Sequence, residues 1–157
     1  MRIIQDTREK YPWTFSFYDD VEVIKKKLDT GDYSIEGFED QICIERKRST
    51  GEISLNLGQK DKQFEAELKR MASFRFAFII CEFTIENVNE FPVNSTIPER
   101  NWKYLKMSPK FIMSRLNKWS ETYGVEVIYC GNAANAEDTA ISLLRESYNV
   151  IKTENKE

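Results

Sequence analysis

Three charged clusters follow one another in the first third of the chain: Asp6-Thr7-Arg8-Glu9, Gly31-Asp32-Tyr33 and Glu45-Arg46-Lys47. Each lies beside a run with the pattern of a β-strand. Side chains alternate faces along a strand, so Glu45 and Lys47 point one way and Arg46 the other. A carboxylate and an ammonium then share one small site. Two acids and a lysine suit metal-dependent hydrolysis of a phosphodiester. A hard divalent ion such as Mg²⁺ takes a few carboxylate oxygens, keeps several waters, offsets phosphate charge and acidifies the attacking water. Asp32 and Glu45 fit the ligand role. Lys47 is placed to orient or help deprotonate the water and to offset charge on the phosphorus. Arg8 or Arg46 can clamp phosphate oxygens bidentately.

The chain has no histidine, which excludes serine-histidine triads, histidine bases and histidine metal ligands together. Its three cysteines, Cys43, Cys81 and Cys130, each sit in an apolar run without the paired spacing of a zinc site. They read as buried thiols of a reducing compartment. With 157 residues, one domain is expected over residues 1–150, followed by a polar tail, 151–157, that frays. The longest unbroken apolar run, residues 76–81, is far below the roughly 18 of a membrane helix. A soluble cytoplasmic protein without a membrane partner is expected.

The net charge of −3 is unlike that of a nonspecific DNA coat. Its distribution is more telling. Arg100, Lys103, Lys106, Lys110, Arg115 and Lys118 lie in a stretch free of acids, with Trp102, Tyr104 and Phe111 among them. Such a segment can hold a phosphate backbone, and Trp102 and Tyr104 are aromatic enough to stack on an unpaired base or to pin their loop to the core. Lysines on one side of a helix are also ordinarily a solvated face.

The elements that must position these groups are legible in part. Residues 2–6 read as a first strand, and Lys25-Lys26-Lys27 as an exposed helix face. Thr30-Gly31-Asp32 is a turn, and residues 33–36 form a strand in a hairpin with residues 41–47 across residues 37–40. That hairpin brings Asp32 near Glu45. Asp61 is placed to cap a helix with Phe64, Leu68 and Met71 inward. Residues 76–83 form a strand covered on both faces, residues 85–91 a short helical turn, and residues 92–107 a long loop. Ser108-Pro109 starts a helix that buries Ile112, Leu116, Trp119 and Tyr123 and ends at Gly124. Residues 125–130 form another buried strand, and Asn135 caps a last helix with Ile141, Leu144 and Tyr148 inward. Strand, helix, strand, helix implies a parallel sheet edge covered by helices.

Singly, each cluster has an ordinary reading as a turn or a surface charge pair. The ordered set resembles the XPF-type branch of the PD-(D/E)xK nucleases, most specifically over residues 3–74 and more weakly to Tyr148. The resemblance implies an α/β fold, a restriction-endonuclease-like α/β/α sandwich with a central mixed sheet. It also implies a Mg²⁺- or Mn²⁺-dependent DNA endonuclease acting on flaps, forks or junctions in repair, recombination or phage replication. Homodimers or heterodimers are implied as well, and a bacterial or phage-infected cell as host. Carried over residue by residue, Asp32 and Glu45 are metal ligands, Asp6 helps hold the metal, Lys47 is the catalytic lysine, and Arg8, Glu9 and Arg46 support the site. Two departures stand out. The family continues Glu-Arg-Lys with three residues and an aspartate, where this chain has Gly51 and then Glu52. The paired helix-hairpin-helix module that often follows such domains has no counterpart here. A catalytically weak or inactive DNA-binding scaffold of the same fold is the alternative.

Overall fold

The computed structural model describes residues 1–156; Glu157, the last residue of the expected tail, lies outside the described residues. Six strands form one sheet in the order β2-β1-β3-β4-β5-β6, with β1 at Arg2–Gln5, β2 at Glu22–Lys25, β3 at Tyr33–Ile35, β4 at Ile42–Lys47, β5 at Phe76–Cys81 and β6 at Glu126–Tyr129. The β1–β3 and β3–β4 pairs are antiparallel, while β1–β2, β4–β5 and β5–β6 are parallel. The sheet is therefore mixed, with the expected hairpin at its centre and the expected parallel edge at β5–β6.

Alternation along the central strands divides the core in two. Cys43, Ile79 and Cys81 face α1 (Thr50–Leu57), α2 (Asp61–Met71) and α4 (Pro109–Tyr123), packing on Ile53, Phe64, Leu68, Met71, Ile112, Leu116 and Trp119. Ile42, Ile44, Phe78 and Ile80 face α5 (Ala133–Glu154), packing on Ala136, Ala140, Ile141 and Leu144. Helices on both faces make the α/β/α sandwich. Among the described residues no helix is long and apolar enough to cross a membrane.

Several elements differ from the sequence reading. Lys25-Lys26-Lys27 is no helix face: Lys25 ends the short edge strand β2, and Lys26 and Lys27 lie exposed beyond it. Charge at such an edge discourages pairing with another chain. The expected loop over 92–107 contains a 3₁₀ helix, Glu99–Tyr104. Caps fall earlier than expected. Lys60 precedes α2 and Asp61 is its first residue, while Asn132 rather than Asn135 caps α5, accepting from the Asn135 N–H at 2.8 Å. The last helix also continues past Val150 to Glu154, with Ile151 only 2% exposed, so most of the segment expected to fray is helical.

Candidate active site

The three charged clusters converge at one end of the sheet, where β1 and β4 end and β3 begins. Gly31 makes the approach possible. At φ +81° it occupies a conformation that side chains rarely adopt, and a Cβ there would stand 2.5 Å from the Cys43 Sγ. Asp32 follows, and its Oδ2 accepts the backbone N–H of Arg46 at 2.8 Å, which ties the acid to β4. Glu45 and Lys47 lie on the α2 side, joined by an Nζ to Oε1 contact of 3.1 Å, and Lys47 is only 3% exposed. The Lys47 ammonium also lies 4.2 Å over the ring of Phe64.

Helix α2 contributes a residue the sequence reading did not single out. Glu67 faces the site, its Oε1 accepting the Gly31 N–H at 3.3 Å and its carboxyl within hydrogen-bonding reach of Glu45. A cavity of about 230 Å³ is lined by Asp6, Glu9, Asp32, Glu45 and Glu67, with Arg8 and Arg70 at its wall. The signal for Glu67 was available: it lies three residues after Phe64 and one before Leu68, at the border of the buried stripe. Periodicity assigns such a position to neither face.

The electrostatics follow from this crowding. Burial, then the charge of Glu9, pushes the Asp32 carboxyl up to about 7. Burial, then Asp32, raises Glu45 well above the ordinary carboxylate range, with Glu67 adding to the rise. Burial alone would lower Lys47, but Glu45, Glu52, Glu67 and Asp32 outweigh it and hold the ammonium charged. In this state Lys47 is a donor of charge and hydrogen bonds rather than a base. Asp32, Glu45 and Glu67 thus crowd three carboxyl groups beside one ammonium, an arrangement in which a bound cation would favour their ionised forms. Among the described residues no three Asp, Glu, Cys or His side chains are grouped so as to hold a metal ion between them. The donor set suits a hard divalent ion held by two carboxylates and retaining water, rather than a fully caged ion.

Asp6 has a different setting from Asp32. Its Oδ1 accepts the Leu28 N–H at 2.8 Å, its Oδ2 accepts Arg8 Nε at 2.8 Å, and it is buried. Both oxygens hold chain in place. Burial alone would raise its pKa, but Arg8 and the N–H groups of Leu28 and Arg8 outweigh this and hold the carboxyl below its usual range. Asp6→Ala is therefore expected to cost about 1–3 kcal/mol by stranding the Leu28 N–H. Because the folded pKa is depressed, the carboxylate's contribution is full above the unfolded value near 3.9 and is lost as pH falls through the folded value. Urea midpoints at pH 7 and pH 3 check this: the gap between wild type and variant should narrow in acid.

Arg46 and Glu9 lie on the opposite face from Lys47. Arg46 donates to Glu82 at 2.8 Å and to Glu9 at 3.1 Å, Glu9 also accepts the Tyr33 hydroxyl at 3.0 Å, and Trp13 stacks on Tyr33 beneath the guanidinium. This network binds the three clusters together. Neither expected phosphate clamp is free, since Arg8 is engaged by Asp6 and Arg46 by Glu9 and Glu82.

The Gly51 departure has a steric cause. A Cβ at residue 51 would meet the Ser95 carbonyl oxygen at 2.3 Å, and the Gly51 N–H donates to that oxygen at 3.0 Å. An aspartate does not fit there. Glu52, one residue on, reaches Lys47 Nζ at 3.6 Å and accepts the Arg48 N–H at 3.1 Å, so it supplies the acid beside the lysine. The same contacts dock residues 95–97 on the start of α1, with Thr96 Oγ1 3.3 Å from Ser49 Oγ. The 3₁₀ helix that follows presents Arg100, Lys103 and Tyr104 to solvent, with Lys106 exposed beyond it and Lys110 at the start of α4. Trp102 is pinned, its Nε1 donating to the Ile97 carbonyl at 2.9 Å, whereas Tyr104 is 71% exposed.

A model of the ERCC4 domain matches residues 5–143, nearly nine-tenths of the sequence and all three clusters. The chain belongs to the ERCC4 domain family. The resemblance to XPF-type nuclease domains extends to solved structures. XPF from Aeropyrum pernix matches this ERCC4 domain with a TM-score of 0.67 at 22% identity, over 99% of this chain and 69% of that one. XPF from Aeropyrum pernix in a complex with DNA matches with a TM-score of 0.65 at 23% identity, over 94% of this chain and 65% of that one. At such identities the likeness speaks for the fold, and this ERCC4 domain spans about two-thirds of the length of those XPF chains. No curated protein matches it.

Proposed function

We propose that this ERCC4 domain is a divalent-metal-dependent DNA endonuclease that cuts branched or partly single-stranded DNA, in repair, recombination or phage replication. The observation that carries the reading is the joining of Asp32, Glu45 and Glu67 in one cavity, with the charged Lys47 paired to Glu45 behind it, in a chain of this family. Asp32 and Glu45 would hold the ion. When bound, Mg²⁺ or Mn²⁺ supplies neutralisation of the phosphate and a more acidic water. Lys47 supplies positive charge and a hydrogen bond to the reacting phosphate or water, and Glu45 and Glu52 fix its position. Glu9 and Arg46 hold β4 against β3, and Asp6 with Arg8 holds the loop that leads to Leu28. Breakage between phosphorus and the 3′ oxygen would leave 5′-phosphate and 3′-hydroxyl ends. DNA would be gripped in part by Arg100, Lys103, Tyr104, Lys106 and Lys110, with Trp102 keeping their segment folded. A dimer with a second copy or another chain would widen that grip.

Incubation with flap, fork and duplex DNA in Mg²⁺, Mn²⁺ or EDTA tests the proposal. Cleavage is expected with either metal, fastest on branched DNA, and none in EDTA. Binding without metal-dependent cleavage would instead identify a scaffold.

A further inference from the structure

The two arginines expected to hold phosphate are committed to carboxylates, but a third at the same end of the sheet is not. Arg48 lies one residue, about 3.8 Å between Cα atoms, beyond Lys47. Its side chain is exposed, and among the described residues no carboxylate pairs with it. Its guanidinium lies 4.4 Å from the ring centroid of Tyr11, covering one face. Tyr11 is 64% exposed, and among the described residues Arg48 is the one group against its ring.

The backbone that carries this exposed ring is held firmly. The Tyr11 carbonyl accepts Arg46 Nη1, Pro12 follows, and the Trp13 N–H and Nε1 donate to the Tyr33 hydroxyl and to Glu82. Arg46 is also the residue whose backbone N–H fixes Asp32. The Arg48 backbone is fixed in turn by Glu52, which contacts Lys47. Both members of the pair are thus tied by single residues to candidate catalytic groups. Core packing does not explain an exposed aromatic on an anchored backbone, and a cation–π contact between two exposed groups adds little to stability.

We propose that Tyr11 and Arg48 form a subsite for one unpaired nucleotide beside the scissile phosphodiester, the base stacking on the open face of Tyr11 and Arg48 bonding the adjacent phosphate. This rests on the nuclease reading and gives it a selection rule. Stacking on a protein aromatic requires a base already free of its neighbours, and every base offers such a face, so the subsite selects strand state rather than sequence. A duplex substrate must first unstack a base, whereas a flap or fork presents one without that cost. The arginine adds a phosphate contact whose strength depends on salt.

Two readouts test the subsite, one of them independent of cleavage. In EDTA, a single-stranded oligonucleotide carrying 2-aminopurine is titrated with the protein, following both affinity and fluorescence quenching. Tyr11→Ala is expected to weaken binding about tenfold and to remove the quenching, while Tyr11→Phe retains both. Arg48→Ala is expected to reduce the slope of log affinity against log salt by about 0.7. In Mg²⁺, Tyr11→Ala is expected to lose about tenfold more cleavage on flap DNA than on duplex DNA. Quenching that survives Tyr11→Ala overturns the subsite, as does a Tyr11→Phe variant that falls as far as the alanine. Tyr11-dependent quenching in a protein that cuts no DNA with either metal would keep the subsite and overturn the enzymatic reading. Cleavage without that quenching would do the reverse.

Discussion

Asp32→Asn is expected to lower Mg²⁺-dependent cleavage of flap DNA by about 10³-fold or more, a loss of about 4 kcal/mol in transition-state stabilisation. DNA binding in EDTA should largely survive, because the substitution touches no exposed basic or aromatic residue. Folding should survive too. The amide oxygen still accepts the Arg46 N–H, and one of three mutually repelling carboxylates is gone, so the melting temperature is expected to equal or exceed that of the wild type. A second readout assigns the loss to the ion. Mn²⁺ should raise the melting temperature of the wild type by binding only the folded state, and this rise should shrink or vanish in Asp32→Asn. Lys47→Ala should also lose cleavage but destabilise as well, since it strips the buried Glu45 of its paired ammonium. Undiminished Mg²⁺-dependent cutting by both variants would remove these residues from the site.

The contrast between the two variants follows from what each group does in the unliganded pocket. Burial and mutual repulsion drive Asp32 and Glu45 toward their neutral forms, and a cation arriving between them would favour their negative charge. Lys47 already offsets part of that charge, and its removal exposes the whole imbalance.

Much of this was legible in the sequence because the relevant rules are local. The two-residue period placed Glu45 and Lys47 on one face and Arg46 on the other, and the structure keeps that division. The stripe of Phe64, Leu68 and Met71, and the helix from Ser108 to Gly124, were equally plain. What escaped depends on tertiary contact. Helix α1 holds Gly51 in its first turn, together with Ser54 and Asn56, weak helix formers all, and its formation is favoured by the Ser49 cap and by docking of residues 95–97. Strand β2 is four residues long, too short for alternation to register, and gains its identity only by pairing with β1. At the site, a carboxylate spent on the chain and one open to a ligand read alike in sequence. Asp6 and Asp32 are separated by the partners their oxygens meet, and Glu67 enters only because α2 packs across β4.

Arg46 shows the same distinction between chemistry and support, and its replacement has the largest expected effect on stability. Its side chain is 5% exposed and spans two carboxylates, Glu82 and Glu9, and the Tyr11 carbonyl, a set that a single ammonium cannot reach at once. Arg46→Met keeps much of the apolar stem over Trp13 but leaves two half-buried carboxylates without their cation. A loss of about 3–5 kcal/mol is expected. At the usual conversion for a domain of this size, that lowers the melting temperature by about 10 °C. Arg46→Lys should recover only part of it. Cleavage should fall in step with the folded fraction, because the guanidinium lies on the opposite face of β4 from Glu45 and Lys47. An Arg46→Met protein as stable as the wild type and devoid of cleavage would show instead that Arg46 leaves Glu82 to engage phosphate during the reaction. Thermal melts of both variants, paired with cleavage rates well below the transition, separate these outcomes.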